Sequence, residues 1–188
     1  MSSKSPKITL YTERDFQGCS TDIYDPKYTL CFSGFNNRVS SLEVHSGLWV
    51  LYQHCFLGGK IYVVWEGQRI NLPCDVDDTI SSLKPIEFDF AVKPSSTIYE
   101  HKCFAGRKEC FEGVNRISDL GMLCFNDKVS SVEVHSGGWI GYEHTNFKGK
   151  QYLFLSGCHN GSASEGCFSH DAISSWAPIV LAPHPSAN

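Results

Sequence analysis

One six-residue phrase is written four times along the chain, and it constrains the fold more than any other feature. It reads Asn36-Asn37-Arg38-Val39-Ser40-Ser41, then Asp77-Asp78-Thr79-Ile80-Ser81-Ser82. It returns as Asn126-Asp127-Lys128-Val129-Ser130-Ser131 and as His170-Asp171-Ala172-Ile173-Ser174-Ser175. Three copies fit (Asn/Asp)-(Asn/Asp)-x-x-Ser-Ser, and the fourth places His170 first and keeps the rest. The fourth residue of the phrase is always Val or Ile. An Asx side chain, then a hydroxyl three residues on, with a β-branched apolar residue between them, suggests oxygen ligands beside a core anchor. Hard cations such as calcium take six to eight oxygens from carboxylates, amides, carbonyls and water. Asx and Ser also make plain turns by bonding to nearby backbone. Turn chemistry alone does not require one pattern at four places, although shared ancestry of the repeats could preserve it.

A second phrase, aromatic-x4-aromatic-x-Gly, precedes each hexapeptide. It reads Tyr11 to Phe16-Gln17-Gly18, Tyr99 to Phe104-Ala105-Gly106 and Tyr142 to Phe147-Lys148-Gly149. The second copy, Tyr52 to Phe56-Leu57-Gly58, reads one residue shorter. The spacing of these tyrosines makes each unit about 40 to 47 residues. The glycine predicts a tight hairpin that needs a positive φ. Units one and three match over Val39–Gly47 and Val129–Gly137. Units two and four both open on Trp-x-x-Tyr (Trp49 to Tyr52, Trp139 to Tyr142) and close on Ile-Ser-Ser and a proline, Pro85 or Pro178. The order is therefore ABAB, a duplicated pair. Two domains follow, 6–87 (motifs 6–47 and 48–87) and 96–180 (motifs 96–137 and 138–180). Residues 88–95 form a linker, and 181–188 form a Pro/Ala/Ser tail that reads as unpacked.

Within each unit the pattern is that of strands. Lys7 to Tyr11, Ser41 to His45 and Gln151 to Leu155 alternate, while Trp49–Tyr52 and Ile61–Trp65 are short runs of β-formers. No stretch keeps a helical period for three turns. The expectation is all-β, as sandwiches. A propeller also repeats near 40 residues, but the ABAB pairing does not ask for four blades and its signatures are absent.

The chain's 188 residues are 41% apolar and 13% aromatic, enough for a substantial core. Net charge is −4 with no basic stripe, which argues against nucleic acid. No apolar leader is visible at the start and no run approaches a membrane span, so a cytoplasmic location is expected, with non-classical export left open. The nine cysteines are odd in number and contain no CxxC pair, and read as reduced, buried small hydrophobes. Zinc ligands usually come in close pairs, which these cysteines do not form. His54, His101 and His144 follow the repeat two residues after a tyrosine, so hairpin and packing roles are expected for them. Asn160-Gly161-Ser162 is a glycosylation sequon. No nucleophile elbow, P-loop or HExxH is present, so an enzyme is not expected.

These motifs together resemble the βγ-crystallin family over about 170 residues. The resemblance rests on the hairpin phrase, the later serine, the Trp-x-x-Tyr opening and the ABAB order. It implies two βγ-crystallin domains, each a sandwich built from two Greek-key motifs. The family has a calcium-binding branch whose signature is this hexapeptide, with two sites per domain, each shared between two motifs. Carried over, Asn37, Asp78, Asp127 and Asp171 supply side-chain oxygens and Ser40, Ser81, Ser130 and Ser174 supply hydroxyls. Carbonyls come from Thr12, Gln53, Glu100 and Glu143. Asn37 replaces a carboxylate, His170 replaces an Asx, and the short hairpin at Tyr52–Gly58 would displace the carbonyl of Gln53. Unequal sites are therefore expected, in the micromolar range or weaker.

Within the family the chain is similar to non-lens members, the amphibian epidermis-differentiation-specific proteins. Some relatives in that group join two such domains to an aerolysin-like pore-forming domain. The implied function is a calcium-binding structural or interaction protein. The alternative is a targeting module of a pore-forming, membrane-active complex, with membrane contact only through that larger assembly. A protein partner or self-association is left open.

Overall fold

The computed structural model describes residues 5–161 and 171–181. The chain divides into two compact units, the first ending at Phe88 and the second running over Asp89–Val180. Residues 89–94 belong to the second unit. Ser136 Oγ donates to the Lys93 carbonyl at 2.7 Å, and Gly113 N–H donates to the Pro94 carbonyl at 2.8 Å.

In the first unit the strands are β1 (Lys7–Tyr11), β2 (Ser20–Ile23), β3 (Ser41–Ser46), β4 (Leu48–His54), β5 (Gly58–Trp65), β6 (Arg69–Asn71) and β7 (Ser82–Ile86). They form an antiparallel sheet of order β2-β1-β3-β6 and a second of order β5-β4-β7. The two motifs exchange strands. β6 comes from the second motif yet completes the first sheet, pairing Ser41 with Asn71. In return Lys27 of the first motif bridges Leu83 of β7, so the fourth strand of the second sheet is reduced to one residue pair. Folding one motif alone would leave both sheets incomplete.

The second unit repeats the plan with β8 (Ser95–His101), β9 (Ala105–Glu112), β10 (Ser131–His144), β11 (Lys148–Asn160) and β12 (Ser175–Pro178). Here β10 and β11 run through both layers. The Ser131–Val134 half of β10 pairs with β8, and its Trp139–Tyr142 half pairs with β12. Ile117 bridges Trp176 as Lys27 bridges Leu83. This is an all-β fold of two Greek-key sandwiches.

Each unit has its own core. In the first, Ile8, Leu10, Leu42, Val44, Trp49 and Leu51 meet between the layers. In the second, Trp139 and Trp176 stack with ring centroids 5.7 Å apart and planes 11° off parallel. Alternation along the strands does not mean exposure of the polar set: Thr9, Ser41, Thr97 and Ser131 are buried too. The β-branched fourth residues of the hexapeptide, Val39, Ile80, Val129 and Ile173, all sit in these cores. They anchor the loops that carry the Asx and Ser side chains.

Two sequence expectations are corrected. Of the eight cysteines in the described residues, seven are exposed and Cys55 is half-buried. They sit on hairpins, loops and outward-facing strand positions, where the usual burial preference of cysteine does not decide. The second hairpin is not short. The left-handed pairs Asp15/Phe16, Cys103/Phe104 and Asn146/Phe147 correspond to Phe56/Leu57, and the following left-handed glycine is Gly59. Leu57 therefore stands where the other hairpins have their second aromatic, and the carbonyl of Gln53 keeps its place. Phe56 is the residue that points outward, 79% exposed.

Candidate functional site

Each hexapeptide splits its two serines between two tasks. The second serine clamps its own hairpin. Ser41, Ser82, Ser131 and Ser175 are fully buried. Their hydroxyls donate to the carbonyls of Glu13, His54, His101 and His144 at 2.6, 2.6, 2.6 and 2.7 Å. They accept from the N–H groups of Phe16, Leu57, Phe104 and Phe147, each at 3.1 Å. That satisfies a donor and an acceptor that the left-handed pair takes out of the ladder. The same hairpins stack edge-on aromatics, Tyr11 on Phe16, Tyr99 on Phe104 and Tyr142 on Phe147.

The first serine looks the other way, across the unit. Ser40 Oγ donates to Asp78 Oδ1 at 3.4 Å, and Ser81 Oγ to Asn37 Oδ1 at 2.9 Å. Ser130 Oγ donates to Asp171 Oδ1 at 3.2 Å, and Ser174 Oγ to Asp127 Oδ1 at 3.2 Å. Every pair joins one motif to the other motif of the same unit. The serines are buried and the four Asx residues exposed.

Backbone geometry sets this arrangement. Asn37, Asp78, Asp127 and Asp171 all lie in the left-handed region, at φ 51°, 55°, 50° and 60°. Asn and Asp tolerate it better than other side chains. Asn37 N–H donates to the Ile80 carbonyl, Asp78 N–H to that of Val39, and Asp171 N–H to that of Val129. The serine amides of Ser40, Ser81, Ser130 and Ser174 donate to the carbonyls of Tyr11, Tyr52, Tyr99 and Tyr142. The next residue in each hairpin is the expected carbonyl ligand: Thr12, Gln53, Glu100 or Glu143. For Glu143 convergence is direct, because its carbonyl accepts from Ser174 Oγ at 2.8 Å. One hydroxyl hydrogen is thus shared between Glu143 O and Asp127 Oδ1.

The first Asx of the phrase does other work. Asp77 Oδ2 pairs with Arg14 at 3.3 Å, tying the first hairpin down, and Asn126 Nδ2 donates to Asp127 Oδ2 at 2.8 Å. His170 lies outside the described residues. Asn36 Oδ1 and Asp77 Oδ1 are buried without a hydrogen-bond partner among the described residues.

The donor set can be tested against an ion. Two oxygens on one calcium ion, each about 2.4 Å from it, stand roughly 2.8–3.4 Å apart in six- to eight-fold coordination. The four Asx–Ser separations run from 2.9 to 3.4 Å. Among the described residues no three His, Cys, Asp or Glu side chains gather to hold a metal by themselves. An ion in one of these sets would meet a hydroxyl, a hairpin carbonyl and one Asx oxygen, a carboxylate in three sets and the Asn37 amide in the fourth. That is a hard-cation set, unlike a zinc site.

Sequence reasoning missed two residues that shape the hairpins. Asn71 Oδ1 accepts from Asp15 N–H at 2.7 Å, and Asn160 Oδ1 accepts from Cys103 N–H at 2.9 Å. Both asparagines come from the B motif of their unit and cap the A motif's hairpin. The B hairpins use backbone instead, with Phe56 N–H on the Tyr28 carbonyl and Asn146 N–H on that of Ser118. The recurrence of Asn 11–12 residues after the B-hairpin glycine, Gly59 to Asn71 and Gly149 to Asn160, was the available signal. The sequon reading of Asn160 concealed it.

Comparison with known proteins agrees with this architecture. A family model described as Beta/Gamma crystallin matches residues 7–86 and 95–179. Beta-crystallin B2 of Aquarana catesbeiana is 32% identical over 176 residues, covering 91% of this chain and 83% of that protein. Beta-crystallin B2 of Homo sapiens is 30% identical over 169 residues, covering 87% and 80%. Among solved structures, a beta gamma crystallin from Ciona intestinalis is 32% identical, with a TM-score of 0.42, covering 45% of this chain and 99% of its own. The family match spans both sandwiches, and the chain belongs to the beta/gamma crystallin family.

Proposed function

We propose that this βγ-crystallin-type structural protein binds calcium, and that calcium ties together the two motifs of each unit. The observation that carries the reading is the crossing of the four Asx–Ser pairs. Each candidate site takes its side-chain oxygen from one motif and its hydroxyl and hairpin carbonyl from the other. The sets are Asp78 with Ser40 and Thr12, Asn37 with Ser81 and Gln53, Asp171 with Ser130 and Glu100, and Asp127 with Ser174 and Glu143. An ion bound there favours the folded state by mass action, since the unfolded chain brings none of these sets together. The gain is about 2.7 kcal/mol at a ligand concentration one hundred times the dissociation constant.

Thermal melting with calcium and with a chelator tests the reading. The midpoint rises with calcium, and the rise shrinks in an Asp127→Asn, Asp171→Asn chain, which keeps the left-handed backbone and the hydrogen bond but loses the charge. A midpoint indifferent to calcium would refute calcium binding and leave the structural role alone.

A further inference from the structure

The second hairpin carries a feature that its three counterparts lack. Cys55 Sγ lies 3.7 Å from Cys31 Sγ and 3.5 Å from Thr29 Oγ1. Among the described residues, no other two cysteine sulfurs are recorded in contact. The two segments that carry them are already fixed against each other. Phe56 N–H donates to the Tyr28 carbonyl at 2.6 Å, and Leu30 N–H donates to the Ser81 carbonyl at 2.8 Å. A disulfide has an S–S length of about 2.05 Å, so the sulfurs must close by about 1.7 Å, within the reach of side-chain rotation. Aligning Ser41 with Ser131 puts Gly121 opposite Cys31, and aligning the left-handed hairpin pairs Phe56/Leu57 and Asn146/Phe147 puts Thr145 opposite Cys55. Shared descent of the repeats therefore does not account for the pair.

Cys31 is exposed, so a small oxidant can reach it. Its thiol is held below the ordinary cysteine range by hydrogen bonds, first from Thr29 and then from Cys55. The thiolate is the reactive form of cysteine.

We propose that Cys31 and Cys55 form a reversible disulfide that locks the 28–34 loop to the second hairpin, with a low-molecular-weight disulfide as the oxidant. The Cys31 thiolate attacks one sulfur of the small disulfide, a mixed disulfide forms, and one small thiolate leaves. The Cys55 thiolate then attacks Cys31 Sγ and displaces the second small thiolate. The two protons released by the cysteines end on the two small thiols. Two cysteines are oxidised and one small disulfide is reduced.

The experiment uses the full chain, reduced, freed of reductant and then incubated with oxidised glutathione. Cleavage after Lys27, Arg38 and Lys60 leaves one cysteine in each of peptides 28–38 and 39–60, so a cross-linked pair identifies the bridge. The expected result is that pair in excess over any other linkage. The thermal midpoint should rise by roughly 5–10 °C and fall back on reduction. Cys55→Ser retains glutathione on Cys31, and both Cys55→Ser and Cys31→Ser lose the rise. Because both side chains are partly or wholly exposed, the serine variants keep the wild-type circular dichroism. Wild-type Cys31 and Cys55 that stay free, or that each hold glutathione, overturn the proposal. So does a midpoint rise that survives in either serine variant.

Discussion

Ser40 and Asp78 are 38 positions apart in the chain, and their side-chain oxygens lie 3.4 Å apart. The same crossing brings Ser81 to Asn37, but there the Asx oxygen is a neutral amide. A dication gains less from an amide than from a carboxylate at the same distance. Replacing Asn37 by Asp should therefore tighten calcium binding in the first unit, on the order of tenfold. Titration calorimetry of wild type and Asn37→Asp reads this directly. An unchanged isotherm would remove the Asn37, Ser81 and Gln53 set from the candidate sites.

The two serines of each hexapeptide should separate cleanly in a stability measurement without calcium. Ser131 is fully buried and holds both the His101 carbonyl and the Phe104 N–H. Alanine there leaves a buried acceptor and donor unpaired, a cost of about 2–3 kcal/mol. Ser130 makes a 3.2 Å bond to exposed Asp171. Alanine there should cost about 1 kcal/mol or less. Urea unfolding in chelator compares the two, and equal costs would contradict the division of labour.

The hexapeptide was legible because duplication repeats it, and the pairing of motifs followed from the ABAB order. The split between its serines was not legible. Both are small and hydroxylic, and only the fold shows that Ser131 faces its hairpin while Ser130 faces the opposite motif. The second hairpin misled because Phe56 sits one place before Leu57 and because Gly58-Gly59 offers two frames. An aromatic in the expected chemistry outweighed the spacing that the other three copies share. The cysteines misled for a different reason. Cysteine's preference for the interior is an average, and Cys31 and Cys103 stand exposed on a loop and a hairpin, where backbone geometry rather than hydrophobicity sets the position.

The glycine doublet gives a sharp test of the corrected frame. Gly59 has φ +81°, and a Cβ there would lie 2.7 Å from His54 Cδ2. Gly58 lies outside the left-handed region, and a Cβ there would meet nothing closer than 3.6 Å. The third hairpin already carries Ala105 at the Gly58 position. Gly59→Ala should destabilise by about 1–3 kcal/mol. Gly58→Ala should be neutral, or stabilising by about 0.4–1 kcal/mol through the unfolded chain. Denaturant midpoints that reverse this order would restore the shorter hairpin.

Acid should act on the first unit through Asp22. Thr9 Oγ1 donates to Asp22 Oδ1 at 2.6 Å, and Lys7 Nζ pairs with Asp22 Oδ2 at 2.9 Å. Thr9 has spent its one hydrogen, so His45 Nε2, 2.8 Å away, is the donor to it. The hydrogen bond from Thr9, and after it that from Lys7, lowers the Asp22 pKa below the ordinary 3.8. A carboxyl whose folded pKa is depressed adds stability above its unfolded value and loses it as pH falls through the folded one. The second unit has Cys110 at this place, 3.5 Å from Thr97 Oγ1, and has no such carboxylate there. In unfolding experiments from neutral pH downward, Asp22→Asn should sit below wild type by a small constant margin. The margin stays small because the pair is solvent-screened. It should narrow only below about pH 4, as the wild-type carboxyl takes up its proton. A margin that stays constant to pH 2, or that narrows already well above pH 4, would show that the Asp22 carboxylate is not the group responsible.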